Sequence, residues 1–146
     1  MASVAQILQS KKDQTVHTIT PNATVLDAVR VMADKGIGGL VVMDGGEIVG
    51  IITERDYARK VALMGLSSKD EFVRNIMSSP ILYVRPDQTS EECMALITEN
   101  RFRHLPVMDD NKLIGLISIG DLVKDIISNQ KFIIEQMEHY IKGELG

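Results

Sequence analysis

Gly50-Ile51-Ile52-Thr53-Glu54-Arg55-Asp56 returns sixty-five residues later as Gly115-Leu116-Ile117-Ser118-Ile119-Gly120-Asp121. In both runs an apolar strand end leads into a hydroxyl residue with an acid three places on. That is the pattern of a strand passing into a capped helix. Outward from this pair the chain aligns with itself without a gap. Pro21 falls on Pro86, Thr24 on Thr89, Leu40 on Leu105 and Ile52 on Ile117. Val42-Met43-Asp44 falls on Val107-Met108-Asp109, and Ile19, Ile48 and Thr53 meet Val84, Leu113 and Ser118. Such a repeat marks a duplicated structural unit.

Each copy has the same order of elements. A short strand (16–19; 81–84) precedes a proline turn, and Thr24 or Thr89 caps a helix. The first helix runs to about Lys35, with Val25, Ala28, Val29, Met32 and Ala33 on one apolar face; Cys93, Leu96 and Ile97 form its counterpart. Two apolar runs, 40–43 and 48–52, flank Asp44-Gly45-Gly46-Glu47, a hairpin signature; the second copy turns at Asp109-Asp110-Asn111-Lys112. A second helix runs from Glu54 to about Met64, closed by Gly65, and in the second copy from about Ile119 onward. The expected fold is α/β: two β-α-β-β-α repeats packed as a pseudo-twofold module with an extended C-terminal helix. The expected boundaries are a helical lead-in at 1–13, a first repeat at 14–65, a linker helix at 66–79, a second repeat at 80–127 and a helix extension at 128–146.

The chain has 146 residues, 45% hydrophobic and 25% charged, which suits a soluble globular protein with a real core. Its longest apolar stretches, 40–43 and 114–117, are too short to span a bilayer. The start, MASVAQILQSKKD, lacks the basic-then-apolar order of a secretory signal. One cysteine, Cys93, excludes a disulfide framework and points to a reducing compartment, the cytoplasm. On its helix face Cys93 reads as a small buried hydrophobe, and most of the eight methionines, such as Met32, Met43, Met94 and Met108, as core filling. Net charge is −4, and the basic residues gather only in two small groups, Arg55, Arg59, Lys60 and Arg101, Arg103, His104. Such groups suit a small anion and not a nucleic acid, which selects a basic face. No His, Cys or acid spacing suggests a metal. Gly36-Ile37-Gly38 precedes a strand and lacks the third glycine, position 41 being Val, so it is no dinucleotide fingerprint.

The two motif runs, with Arg103-His104-Leu105-Pro106-Val107 and the Pro21 and Pro86 turns, resemble the CBS domain, named for cystathionine β-synthase. As a tandem pair they are similar to the Bateman module of IMP dehydrogenase and of the gamma subunit of AMP-activated protein kinase. The resemblance covers about residues 14 to 127. It implies a non-enzymatic regulatory module that senses AMP, ADP, ATP or NADH, with no catalytic cofactor, no metal, no nucleic acid and no membrane, and that relays occupancy to a protein partner. It implies that the Ser/Thr-x-x-Asp motif grips ribose and phosphate, and that each site is shared across the repeats. Thr53, Arg55 and Asp56 would then face Leu82, Tyr83, Phe102, Arg103 and His104. Ser118 and Asp121 would face His17, Thr18, Ile37, Gly38 and Gly39. The Asp56 site is the more basic of the two and is expected to hold the more highly charged phosphate group. Taken without the resemblance, the same motifs are helix caps of an interaction scaffold. Bateman modules often pair as discs. A homodimer surface is therefore expected at Ala58, Val61 and Ala62 with the tail stripe Leu122, Ile126, Ile133, Met137 and Ile141, unless that stripe folds back on its own domain.

Overall fold

The computed structural model describes residues 2–11, 14–79 and 81–142. Its elements in chain order are α1 (Val4–Ser10), β1 (Thr18–Ile19), α2 (Val25–Lys35), β2 (Gly39–Asp44), β3 (Glu47–Thr53), α3 (Glu54–Tyr57), α4 (Val73–Ile76), α5 (Ser90–Asn100), β4 (His104–Asp109), β5 (Lys112–Ser118) and α6 (Ile119–Ile141). They form two units, Thr15–Leu82 and Met1–Gln14 with Tyr83–Gly146. Each unit holds one βαββα repeat.

In the first unit Thr24 is extended, and its hydroxyl accepts the Asp27 N–H at 3.2 Å, which starts α2. Gly36 ends that helix at φ 63°, a left-handed backbone that costs glycine nothing. Gly45 and Gly46, at φ 58° and 85°, make the tight turn that sends β2 back as β3. β1 joins β2 in parallel, Thr18 beside Val41, giving the order β1-β2-β3. The apolar stripe of α2 lies on this sheet, and Val25, Ala28, Met32, Leu40, Val42, Ile52, Val61, Val73 and Ile76 close the core.

The second unit repeats the design with different residues. Thr89 caps α5 through the Glu92 N–H, and Asp110-Asn111 turn β4 into β5 at φ 49° and 61° without a glycine. Cys93, Ile97, Leu105, Val107 and Ile117 are buried at the positions held by Ala28, Met32, Leu40, Val42 and Ile52. The expected strand at 81–84 shrinks to one parallel bridge, Val84 to Val107, just as the first copy's strand keeps only Thr18–Ile19.

The lead-in and linker segments are also copies of one element. In α4, Val73 N donates to Ala23 O at 2.9 Å and Arg74 N to Pro21 O at 3.0 Å. In α1, Val4 N donates to Gln88 O at 2.8 Å and Ala5 N to Pro86 O at 3.0 Å. Val4 and Ile7 are buried as Val73 and Ile76 are. Leu8 lies over Gly115 as Met77 lies over Gly50. The start of the chain thus completes the second repeat, and the segment between the repeats completes the first.

Two expectations are corrected. The helix expected from Glu54 to about Met64 is one α-helical turn, α3, followed by a π-helical turn at Ala58–Ala62. Val61 is not available to another chain, because it is buried in the core of its own unit; Ala58 and Ala62 are exposed. The C-terminal helix α6 is continuous over 23 residues and does not fold back. Leu122 anchors it, while Ile126, Ile133, Met137 and Ile141 are exposed.

Candidate functional site

Each strand hairpin delivers its hydroxyl residue to a helix start in the same way. Thr53 pairs with Gly39 across the ladder, and Glu54 N donates to Gly38 O at 3.0 Å. Ser118 pairs with His104, and Ile119 N donates to Arg103 O at 2.9 Å. The hydroxyl and the acid then close a reciprocal cap. Asp56 N donates to Thr53 Oγ1 at 3.1 Å and Thr53 N to Asp56 Oδ2 at 3.0 Å. Asp121 N donates to Ser118 Oγ at 3.2 Å and Ser118 N to Asp121 Oδ2 at 2.9 Å.

A lysine meets each carboxylate. Lys60 Nζ stands 3.1 Å from Asp56 Oδ1 and donates to Ile76 O at 2.9 Å. Lys11 Nζ stands 3.0 Å from Asp121 Oδ2 and donates to Leu116 O at 2.8 Å. Asp56 also accepts the Thr53 hydroxyl on Oδ2 at 3.1 Å and the Ser78 hydroxyl on Oδ1 at 3.4 Å. Asp121 is half-buried. Burial by itself raises its pKa, but the Ser118 N–H, the Lys11 ammonium and the Ser118 hydroxyl together hold it below the ordinary carboxylate value.

These lysines and Ser78 were not among the residues expected at the sites. Lys60 had a local signal, since it follows Asp56 by one helical turn. Lys11 had none, because its partners lie more than a hundred residues away.

The other expected residues fall as follows. In the first unit Ile37 and Gly38 are half-buried and Gly39 is buried beside Thr53; His17 is half-buried and Thr18 exposed at β1; Leu82 is half-buried, and Arg55 is exposed on α3. In the second unit Tyr83 and Arg103 are exposed, while Phe102 and His104 are half-buried near the β4 start. Within a unit, then, the structure brings Gly38 and Gly39 to Thr53, and Arg103 and His104 to Ser118. Cys93 is buried, and burial, then Glu92, pushes its thiol up to about 11, away from nucleophile chemistry. Among the described residues no three His, Cys, Asp or Glu side chains are grouped to hold a metal ion, and no helix is long and apolar enough to cross a membrane.

Comparison with known proteins gives this arrangement a family. The model of the CBS domain matches the chain twice, over residues 5–63 and 73–128. The CBS domain-containing protein CBSX3, mitochondrial, of Arabidopsis thaliana is 37% identical over 149 residues, covering 97% of this chain and 72% of its own. A solved CBS-domain structure from Burkholderia ambifaria MC40-6 is 58% identical with a TM-score of 0.84, covering 88% of this chain and 96% of that one. CBSX2, solved in complex with AMP, is 30% identical with a TM-score of 0.70, covering 89% of this chain and 99% of that one. Both matched segments take in a lead-in helix residue, a hairpin and a Ser/Thr-x-x-Asp helix start, so the chain belongs to the CBS-domain family as a tandem pair, a Bateman module.

Proposed function

We propose that this chain is a regulatory module that binds an adenine nucleotide through its two hydroxyl–carboxylate helix starts, with AMP, ADP, ATP and NADH as the ligands to test. The observation that carries the reading is the twofold recurrence of one chemical set. A carboxylate, a hydroxyl, a helix N-terminal backbone and an ammonium stand together at Asp56 and again at Asp121. A carboxylate can accept both hydroxyls of a ribose in charge-assisted bonds, and a hydroxyl with backbone N–H groups suits a phosphate. The AMP complex of CBSX2 supports an adenine ligand for a chain of this fold. Occupancy would favour one arrangement of the module, and a protein partner would read it. The reading is regulatory rather than catalytic. It includes a cytoplasmic homodimer paired through α6. The other residues that the resemblance names are positions to substitute once a ligand is known.

A thermal-shift screen with AMP, ADP, ATP, NAD, NADH, S-adenosylmethionine and GTP tests this on wild type, Asp56→Ala and Asp121→Ala. A ligand at about 100 times its Kd adds about 2.7 kcal/mol. That is a rise of several degrees for a domain of this size, at roughly 2–8 °C per kcal/mol. A rise with adenine nucleotides that the aspartate variants reduce supports the reading. A blank screen favours a second reading, an interaction scaffold. One observation speaks for that alternative: both capping boxes are complete within the chain and need no ligand.

A further inference from the structure

We infer that Lys11 is the phosphate-binding cation of the Asp121 site, exchanging the aspartate for a ligand phosphate when a nucleotide enters; this rests on the nucleotide reading above. The repeat leaves the two sites with different charges. The second residue of the motif helix is Arg55 in the first copy and Gly120 in the second. The residue one turn beyond the acid is Lys60 in the first and Asp125 in the second. The first motif helix with its π-turn therefore carries Arg55, Arg59 and Lys60, whereas the second keeps Lys124 in the place of Arg59 and has an acid in the place of Lys60. Lys11, from the N-terminal segment, gives Asp121 the ammonium that Lys60 gives Asp56, on the site to which β4 also brings Arg103 and His104.

Its position is built by several contacts. α1 is held by a complete capping box at Ser3 and by the Val4 and Ala5 N–H bonds to Gln88 and Pro86. Leu8 packs on Gly115 of β5, where a Cβ would come within 2.6 Å of it. The chain then leaves α1 with Lys11 directed to Leu116 O and Asp121 Oδ2. The same ammonium–carboxylate–carbonyl set occurs at Lys60, although the two lysines occupy non-equivalent positions in the repeat. The set is thus retained by two routes, and it belongs to the site and not to the duplicated framework.

The exchange needs little movement. A ribose diol brings two hydroxyl donors to the carboxylate, replacing the ammonium in that role. A lysine ammonium is a point charge on a flexible four-carbon stem with three donors, so it can turn to a phosphate while its backbone stays in place. Gly120 has no side chain to block approach to the α6 N-terminus. In this arrangement Lys11 senses phosphate and opposes a bare nucleoside, since adenosine must break the ion pair without offering a replacement anion.

Calorimetric titration of adenosine and AMP tests this in an Asp56→Ala background, which isolates the Asp121 site. AMP is expected to bind more tightly than adenosine to that background. Adding Lys11→Met should lower AMP affinity about tenfold or more, the scale of one charge-assisted hydrogen bond, with adenosine affinity unchanged or improved. Lys11→Arg should restore the preference for AMP. If Lys11→Met does not fold, Lys11→Gln, which still donates a hydrogen bond, is read in the same way. AMP binding with an unchanged AMP-to-adenosine ratio in the neutral variants overturns the role of Lys11 and leaves the nucleotide reading standing. No AMP binding at this site in wild-type Lys11 protein overturns the role of Lys11, and it overturns the nucleotide reading as well only if the thermal-shift screen is also blank.

Discussion

Asp121 joins stability to ligand chemistry in one carboxylate. Its pKa is lowered from an ordinary 3.8, the Ser118 N–H and the Lys11 ammonium outweighing burial. A carboxylate of this kind contributes stability above its unfolded pKa, and the contribution is lost as pH falls through the lower native value. Asp121→Asn should therefore destabilise the chain most above the ordinary carboxylate range, and the gap from wild type should narrow as pH falls below 3.8 and through the lower native value. Urea unfolding at several pH values measures this, and a pH-independent gap would assign the effect to geometry alone. Gly50 and Gly115 give a second test at this scale. A Cβ on Gly50 meets Met77 Sδ at 2.7 Å and the Ser78 backbone oxygen at 2.9 Å, whereas the three atoms nearest a Cβ on Gly115 all belong to the Leu8 side chain. A side chain can move where a backbone carbonyl in a bridge cannot. Gly50→Ala should cost about 1–3 kcal/mol by overpacking, and Gly115→Ala less. Denaturant midpoints decide the order.

The lead-in helices act as interchangeable elements. Ile7 and Ile76 are 3% and 4% exposed and fill the same place in the two units. Truncating either to alanine should cost about 2–5 kcal/mol, and the two losses should be similar. Chemical unfolding of the two single variants checks this; a negligible loss for Ile7→Ala would mean that α1 is only docked and is not part of its unit. The second-helix elements differ more. α3 is a single turn relaxed into a π-turn, while α6 is 23 residues long. The π-turn still turns Val61 into the core. Its apolar spacing is indistinguishable in sequence from that of a regular helix.

At the scale of the molecule, α6 is the main exposed apolar surface. Ile126-Ile127, Ile133-Ile134 and Tyr140-Ile141 recur at seven-residue spacing, and all six side chains are exposed. Seven-residue spacing keeps an apolar seam on one side of a helix, as helix pairing requires. In the proposed homodimer, Ile133→Glu with Ile134→Glu should convert dimer to monomer in light scattering while the far-ultraviolet circular dichroism stays unchanged. A wild-type chain that is monomeric at high concentration would reject pairing through this face.

The sequence alone determined the repeat, the α/β class, both hairpins, the capped helix starts and the two motif pairs. Each of these is a local pattern: a spacing of apolar residues, a turn dipeptide or a hydroxyl three places before an acid. The equivalence of α1 and α4 was also present, as the same buried valine and isoleucine in Val4-Ala5-Gln6-Ile7 and Val73-Arg74-Asn75-Ile76, but its spacing differs from that of the main repeat. Only the tertiary structure decided that each short helix completes the unit it now occupies and that Val61 turns inward. It alone showed that Lys11 reaches Asp121, because that ion pair joins opposite ends of the chain and leaves no periodic trace in the residues between them.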